Sequence, residues 1–315
     1  PLLMCLVACG CPSASKQWFE SQLDVGGQQR YFRCYIPDGL PENAPLVILL
    51  HGGTQDMRSI FRRNAGGTQE WTAIADEAKF LLMVPNGINL RTGAADGIRQ
   101  VWNDCRSDAV PALHSSADDV GFVGALIDWA SSQYKVDTAR VYATGASNGG
   151  MMSYRLAIEL HGRIAAAAAF IANLAAVSDC AEPVGPVPMF ICAGTGDPLV
   201  PWEGGAVAGD RGSVISATAT RDEWVRTNGC NPVPVEVVDY PDLDPNDGCT
   251  VRSERYRNTN GAEVLFYTVT GGGHTMPSIA HPIAGWIRAL IPLGNQNHDI
   301  EGARHAWAFL SQFSR

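Results

Sequence analysis

The chain has 315 residues, 46% of them hydrophobic and 17% charged, with a formal net charge of −9 and an isoelectric point near 5.2. That length and apolar content supply the core of one α/β domain. The acidic balance, with no Lys/Arg-rich run, argues against a nucleic-acid partner, because phosphate binding needs a basic footprint.

Residues 1–10 form an apolar run too short to span a bilayer, followed by small and polar residues to Ser15, which suits the end of an export signal. No basic start is present, so the signal is expected to begin before Pro1. Leu6-Val7-Ala8-Cys9 matches a bacterial lipoprotein box, in which Cys9 takes the lipid and becomes the mature N-terminus. A plain secretory cleavage nearby is the alternative. Residues 1–15 therefore read as leader and 16–315 as a single domain, either secreted or held at the cell envelope through Cys9.

Between residues 18 and 37 the alternation Gln29-Arg30-Tyr31-Phe32-Arg33-Cys34-Tyr35-Ile36, preceded by Gly26-Gly27, predicts antiparallel strands at a sheet edge. Leu46-Val47-Ile48-Leu49-Leu50 is a continuous apolar run, as in a strand buried on both faces, and stops at His51-Gly52-Gly53-Thr54. A helical pattern over residues 69–78 precedes a second buried strand, residues 80–84. Residues 88–117 lack periodicity and contain Gly93, Gly97, Trp102 and Pro111, so they form a long surface loop of a kind that often carries function. Ser116-Ala117-Asp118-Asp119 resembles a helix cap, with both acids facing the positive end of the helix dipole, and Val120, Val123, Ile127 and Ala130 follow at helical spacing.

Arg140-Val141-Tyr142-Ala143-Thr144 then breaks into Gly145-Ala146-Ser147-Asn148-Gly149 and restarts as a helix-compatible segment. Strand, sharp turn and helix with serine at the turn make a nucleophile elbow. Glycines two positions either side keep side chains away from the crowded bend, and the Asn148 N–H at the helix start is free to face an oxyanion. The five-residue pattern alone also describes an ordinary glycine-rich turn, so the rest of the chain must decide.

Beyond it the pattern predicts a helix over 152–160 and strands over 164–170 and 187–193, the latter ending in Gly194-Thr195-Gly196-Asp197. A helix over 214–228 and strands over 235–240, 250–257 and 263–269 follow, the last running into Gly271-Gly272-Gly273-His274, before a closing helix over 304–313. Such alternation predicts a mostly parallel sheet with helices on both faces. Ile279, Ile283, Trp286, Ile287 and Leu290 form a helical apolar stripe past His274, as core or as a site wall.

Nine cysteines suit an oxidising compartment and lack metal-ligand spacing. Cys5, Cys9 and Cys11 belong to the leader, and Cys192 reads as a buried thiol within an apolar run. Cys230 and Cys249, flanking a Pro- and Asp-rich loop, are the expected disulfide; Cys34, Cys105 and Cys180 remain unassigned. Asp242-Leu243-Asp244-Pro245-Asn246-Asp247-Gly248 lacks the glycine and distal glutamate of an EF-hand and reads as an acidic turn. Neither a metal nor a cofactor is expected.

In a parallel sheet the chemistry sits beyond the carboxyl ends of strands. Ser147, Asp197 and His274 meet that condition in the order Ser, Asp, His expected of an α/β-hydrolase. A serine hydroxyl needs an imidazole to take its proton, and the imidazole needs a carboxylate to fix its tautomer. The second oxyanion donor is expected from Gly53, with Thr54 as rival, to act with Asn148. Trp202, one short turn after Asp197, and Trp102 on the long loop are candidates for an aromatic substrate wall, with Thr54 beside them.

His51-Gly52-Gly53-Thr54-Gln55, Trp102-Asn103-Asp104, Asp118-Asp119-Val120-Gly121-Phe122, Gly145-Ala146-Ser147-Asn148-Gly149-Gly150-Met151, Gly194-Thr195-Gly196-Asp197-Pro198-Leu199-Val200-Pro201 and Gly271-Gly272-Gly273-His274-Thr275 together resemble the exported polyhydroxybutyrate depolymerase and feruloyl esterase group, including its lipoprotein esterases. The likeness runs from about Trp18 to the C-terminus. It implies an α/β-hydrolase fold, a Ser147–Asp197–His274 triad, and Gly53 at an oxyanion position often held by cysteine in the depolymerases. By that resemblance the substrate is an ester, polymeric or small: a polyester, a feruloylated polysaccharide or an acetyl ester. A non-catalytic binding protein of the same fold and a serine peptidase are the alternatives.

Overall fold

The computed structural model describes residues 17–62 and 65–315. The leader and the Cys9 lipidation position lie outside the described residues.

A ten-stranded sheet organises the chain. In chain order its strands are β1 (Gln17–Val25), β2 (Gln28–Ile36), β3 (Leu46–Leu50), β4 (Leu81–Pro85), β5 (Val141–Ala146), β6 (Ala166–Phe170) and β7 (Met189–Gly194). A separate two-stranded hairpin, β8 (Gly205–Ala206) and β9 (Ser213–Val214), precedes β10 (Glu236–Asp239), β11 (Thr250–Arg257) and β12 (Glu263–Thr270). The helices are α1 (Glu70–Ala78), α2 (Asp119–Tyr134), α3 (Asn148–Glu159), α4 (Ala217–Thr227), α5 (Gly285–Leu290) and α6 (Gly302–Leu310).

The sheet order is β1-β2-β4-β3-β5-β6-β7-β12-β11-β10. Neighbours from β4 to β12 run parallel, while β1–β2 and β11–β10 close the two edges antiparallel. This is an α/β-hydrolase fold. The apolar run of β3 is fully buried because period-2 alternation sends its side chains to two different cores. Leu46, Ile48 and Leu50 join Phe122 and Leu126 of α2, Met152 and Leu156 of α3 and Trp224 of α4. Val47 and Leu49 join Trp71 and Ile74 of α1 and Ala303 and Phe309 of α6. The first acid at the α2 cap behaves as expected, Asp118 accepting the Gly121 N–H at 2.8 Å. Its neighbour Asp119 instead turns inward, buried against Arg30 at 2.5 Å and accepting the Asn103 N–H at 2.8 Å.

The disulfide expectation is corrected. Cys105 is bonded to Cys180, while Cys230 and Cys249 are buried free thiols, as are Cys34 and Cys192. Cys230 belongs to the core on the α2–α4 face and Cys249 to the core on the α1–α6 face, so the sheet separates them. Proximity to one loop in sequence did not place them on one side.

Candidate active site

The turn between β5 and α3 carries the strain that the sequence foretold. Ser147 has φ 57° and ψ −126°, a conformation rare for a residue with a side chain. Its N–H is held by the Phe170 carbonyl at 2.9 Å and its carbonyl accepts the Met151 N–H at 2.9 Å, so neighbouring structure pins the bend. The flanking glycines are steric necessities. A Cβ on Gly149 would lie 2.3 Å from the Leu50 oxygen, and one on Gly145 would lie 2.6 Å from the Gly149 backbone.

Asp197 and His274 come from adjacent strands, β7 and β12, whose outgoing loops are stitched together. Thr195 N–H reaches the Val269 carbonyl at 3.0 Å, Gly196 N–H the Gly272 carbonyl at 2.8 Å, and Gly271 N–H the Thr195 hydroxyl at 2.9 Å. The frame sets His274 Nδ1 2.7 Å from Asp197 Oδ2, the carboxylate buried and the imidazole partly exposed. Asp197 Oδ1 accepts the Leu199 and Val200 N–H groups at 2.8 and 2.9 Å. A carboxylate so bound is an acceptor, so Nδ1 bears the imidazole proton and Nε2 keeps a lone pair for the cleft. Ser147 and His274 line the same cleft of about 1020 Å³, with no direct hydrogen bond between hydroxyl and imidazole. Such contacts often tighten only when substrate is bound.

Opposite the serine, the loop after β3 is fixed by His51. The Gly87 N–H donates to His51 Nε2 at 3.0 Å, which leaves Nδ1–H to donate to the Gly52 carbonyl at 2.9 Å. Complete burial pushes this imidazole down to about 4, so it is a neutral strut and not a base. The Thr54 N–H is spent on the Gln100 carbonyl at 2.8 Å, which removes Thr54 as an oxyanion donor. Among the described residues the Gly53 and Asn148 N–H groups have no acceptor, and the two residues adjoin: a Cβ on Gly53 would sit 3.5 Å from that of Asn148. The arrangement can hold a negative oxygen beside a serine hydroxyl and an imidazole lone pair.

The Asn148 side chain was not foreseen as a positioning group. Its Oδ1 accepts the Trp102 N–H at 2.8 Å, and its Nδ2 donates to the Trp102 carbonyl at 3.2 Å and to Asp104 Oδ2 at 2.6 Å. Asp104 is in turn gripped by the Arg106 guanidinium at 2.7 and 3.1 Å, and Cys105 between them carries the disulfide. The Trp102-Asn103-Asp104 triplet thus clamps the long loop to the elbow. Trp102 lines the cleft but is only 2% exposed, its indole N–H donating to the His51 carbonyl at 2.8 Å. Thr54 lines the cleft and is exposed.

Trp202 departs from expectation. It is not among the lining residues and packs half-buried against the core, its ring 5.8 Å from Phe266. The turn after Asp197 folds back under the sheet end because the Asp197 carboxylate draws in the Leu199 and Val200 amides, and those two residues line the cleft instead. The apolar stripe splits: Ile283 and Ile287 line the cleft, whereas Ile279, Trp286 and Leu290 are exposed. His114, which carried no sequence signal, also lines the cleft, bound through Nδ1 to the Arg106 carbonyl at 3.1 Å. The acidic turn gathers Asp244 and Asp247 about His298, away from the cleft, and Asp247 caps the Cys249 and His298 N–H groups at 2.7 Å each.

No family model matches the chain. It is 29% identical over 284 residues to NocK of Nocardia uniformis subsp. tsuyamanensis, which carries an esterase designation; the match covers 86% of this chain and 77% of that one. Feruloyl esterase D of Neurospora crassa is 26% identical across 92% of this chain and 84% of its own. Poly(3-hydroxyalkanoate) depolymerase C of Paucimonas lemoignei is 26% identical across 77% and 58%. Among solved structures, the acetyl xylan esterase from Aspergillus awamori superposes with a TM-score of 0.54 at 14% identity, covering 86% of this chain and 97% of the other.

Proposed function

We propose, from a chain that belongs to the broad α/β-hydrolase superfamily of esterases with feruloyl-esterase-like and depolymerase-like members, that this hydrolase is an exported serine carboxylic-ester hydrolase working through an acyl-enzyme at Ser147. The observation that carries the proposal is the 2.7 Å pair of Asp197 and His274 opening onto the cleft that holds the strained Ser147. Ser147 Oγ attacks the ester carbonyl as its proton passes to His274 Nε2, and Asp197 keeps the imidazolium oriented. The carbonyl oxygen, now negative, is met by the Gly53 and Asn148 N–H groups; losing one such donor typically slows turnover about a hundredfold or more. Collapse breaks the C–O bond, and the departing alkoxide takes the proton from His274. Water, deprotonated by the same imidazole, then releases the acid and restores Ser147.

Relatives named as feruloyl esterases, a bifunctional acetylxylan esterase/xylanase and a polyhydroxyalkanoate depolymerase support substrates among feruloyl or acetyl esters of plant polysaccharide and polyhydroxyalkanoate-type polyesters. The Cys105–Cys180 bond supports export, since such bonds persist in oxidising compartments. Lipid anchoring through Cys9 is the accompanying proposal and rests on the sequence motif. A panel of p-nitrophenyl esters, methyl ferulate and 3-hydroxybutyrate oligomers, offered to wild type and Ser147→Ala, tests the reading. Hydrolysis of at least one member, lost in the variant, is expected; equal rates in both would overturn it.

A further inference from the structure

The protein carries a formal charge of −9, and its arginines are mostly spoken for. Arg30 is held by Asp119, Arg155 by Glu159, Arg163 by Asp128, Arg252 by Asp239 and Arg304 by Glu70 and Glu77. The cleft breaks this pattern. Arg62, Arg91, Arg99 and Arg211 all line it, all are exposed, and among the described residues none has a carboxylate within 4 Å. Asp104 is the acid in the lining, and Arg106 neutralises it at 2.7 Å. The mouth over Ser147 therefore holds a surplus of positive charge on a molecule that is negative overall.

Three segments supply that surplus. Arg62 follows the 3-10 turn Ser59–Phe61, Arg91 and Arg99 stand on the long loop after β4, and Arg211 stands in the β8–β9 hairpin. One small carboxylate could meet one of these places; a chain bearing repeated carboxylates meets several at once. A guanidinium is the side chain suited to forked pairing with a carboxylate, and a cleft lined with one sign of charge concentrates its counter-ion.

We propose that the substrate is an acidic polysaccharide, a uronate-bearing chain whose scissile ester is seated at Ser147 while its carboxylates engage Arg62, Arg91, Arg99 and Arg211. The inference rests on the serine-esterase reading and chooses within its substrates, because a polyhydroxyalkanoate has no charge along its backbone.

The test compares acetate release from acetylated polygalacturonate and from acetylated neutral xylan of matched length, with p-nitrophenyl acetate as a check on esterase chemistry. At low salt kcat/KM for the acidic polymer is expected to exceed that for the neutral one by about tenfold or more, through KM. The preference should collapse at 0.5 M NaCl, where the screening length is only a few ångströms. Each Arg→Gln change should cost about threefold on the acidic polymer, as for an exposed ion pair, and the quadruple variant should show no preference. Separately, calorimetry with Ser147→Ala and unacetylated polygalacturonate should register salt-sensitive binding that is lost in the same protein carrying the four Arg→Gln changes. Equal kcat/KM on the two polymers, a preference indifferent to salt, or no binding of polygalacturonate would overturn the proposal. If p-nitrophenyl acetate is cleaved and the acidic preference is absent, the anion proposal fails and the esterase reading stands. If polygalacturonate binds and no ester is cleaved, the arginines hold an anionic chain but the esterase reading fails, and the assignment of that chain as substrate falls with it.

Discussion

Replacing both Cys105 and Cys180 with serine removes a bond that closes a 75-residue separation between the long loop and the segment after β6. In the chain-entropy model a loop of that size restricts the unfolded ensemble by about 4.5 kcal/mol at 25 °C, and native disulfides typically return about 2 to 5 when removed. The double variant should therefore lose about 2 to 4.5 kcal/mol in urea unfolding followed by tryptophan fluorescence at pH 7, with a steeper denaturant slope because the unfolded chain expands. Activity should fall as well, since Cys105 sits beside Asp104, which holds the Asn148 side chain at 2.6 Å. Wild type treated with reductant should move towards the same unfolding curve. A loss under about 1 kcal/mol, or peptide mapping that found Cys105 and Cys180 alkylatable in the untreated protein, would refute the reasoning.

Asn148→Ala keeps the backbone donor but leaves the buried Trp102 N–H without its acceptor and Asp104 with Arg106 alone, so about 1 to 3 kcal/mol of stability should go in thermal unfolding, together with at least a tenfold drop in kcat on p-nitrophenyl acetate. Burial lowers the His51 pKa from 6.5 to about 4, so between those values the unfolded chain binds more protons than the folded one; stability rises with pH through this window and is lost as pH falls through it. That single group contributes about 3 kcal/mol, and His51→Asn should flatten the slope of stability against pH from 4 to 6.5 in parallel titrations of wild type and variant. Trp202→Ala should cost about 2 to 3 kcal/mol by emptying its contact with Phe266 and should lower kcat/KM for methyl ferulate and p-nitrophenyl acetate by the same factor; a loss confined to the ferulate would return the ring to the cleft.

What was legible in the sequence had a local steric or periodic cause. The β3 run reads as a central strand because apolar residues at consecutive positions must face two cores. The elbow reads from Gly145 and Gly149 because no side chain fits where Leu50 and the turn's own backbone lie. Asp197 and His274 are legible as strand-end residues, while the parallel pairing of β7 with β12, which brings them to 2.7 Å, is a matter of sheet order that the sequence pattern does not state. Features that depend on how irregular chain packs in three dimensions stayed hidden. The long loop has no periodicity, so neither its clamp through Asp104 and Asn148 nor the facing of Arg91 and Arg99 could be placed. Cysteine pairing failed for the same reason: Cys105 and Cys180 meet across two irregular segments, while Cys230 and Cys249 fall on opposite sides of the sheet. Trp202 was misplaced because a turn's length does not reveal which way its backbone is pulled.

The central claim is that Ser147 is a nucleophile activated by His274, and covalent trapping tests it most directly. Wild type is treated with a fluorophosphonate and digested, and the adduct is located by mass spectrometry while p-nitrophenyl acetate hydrolysis is followed in parallel. One adduct per chain, on the peptide bearing Ser147, with activity falling in proportion and labelling strongly slowed in His274→Ala, is the result predicted. An adduct on another residue, or full labelling of Ser147 with hydrolysis undiminished, would contradict the account.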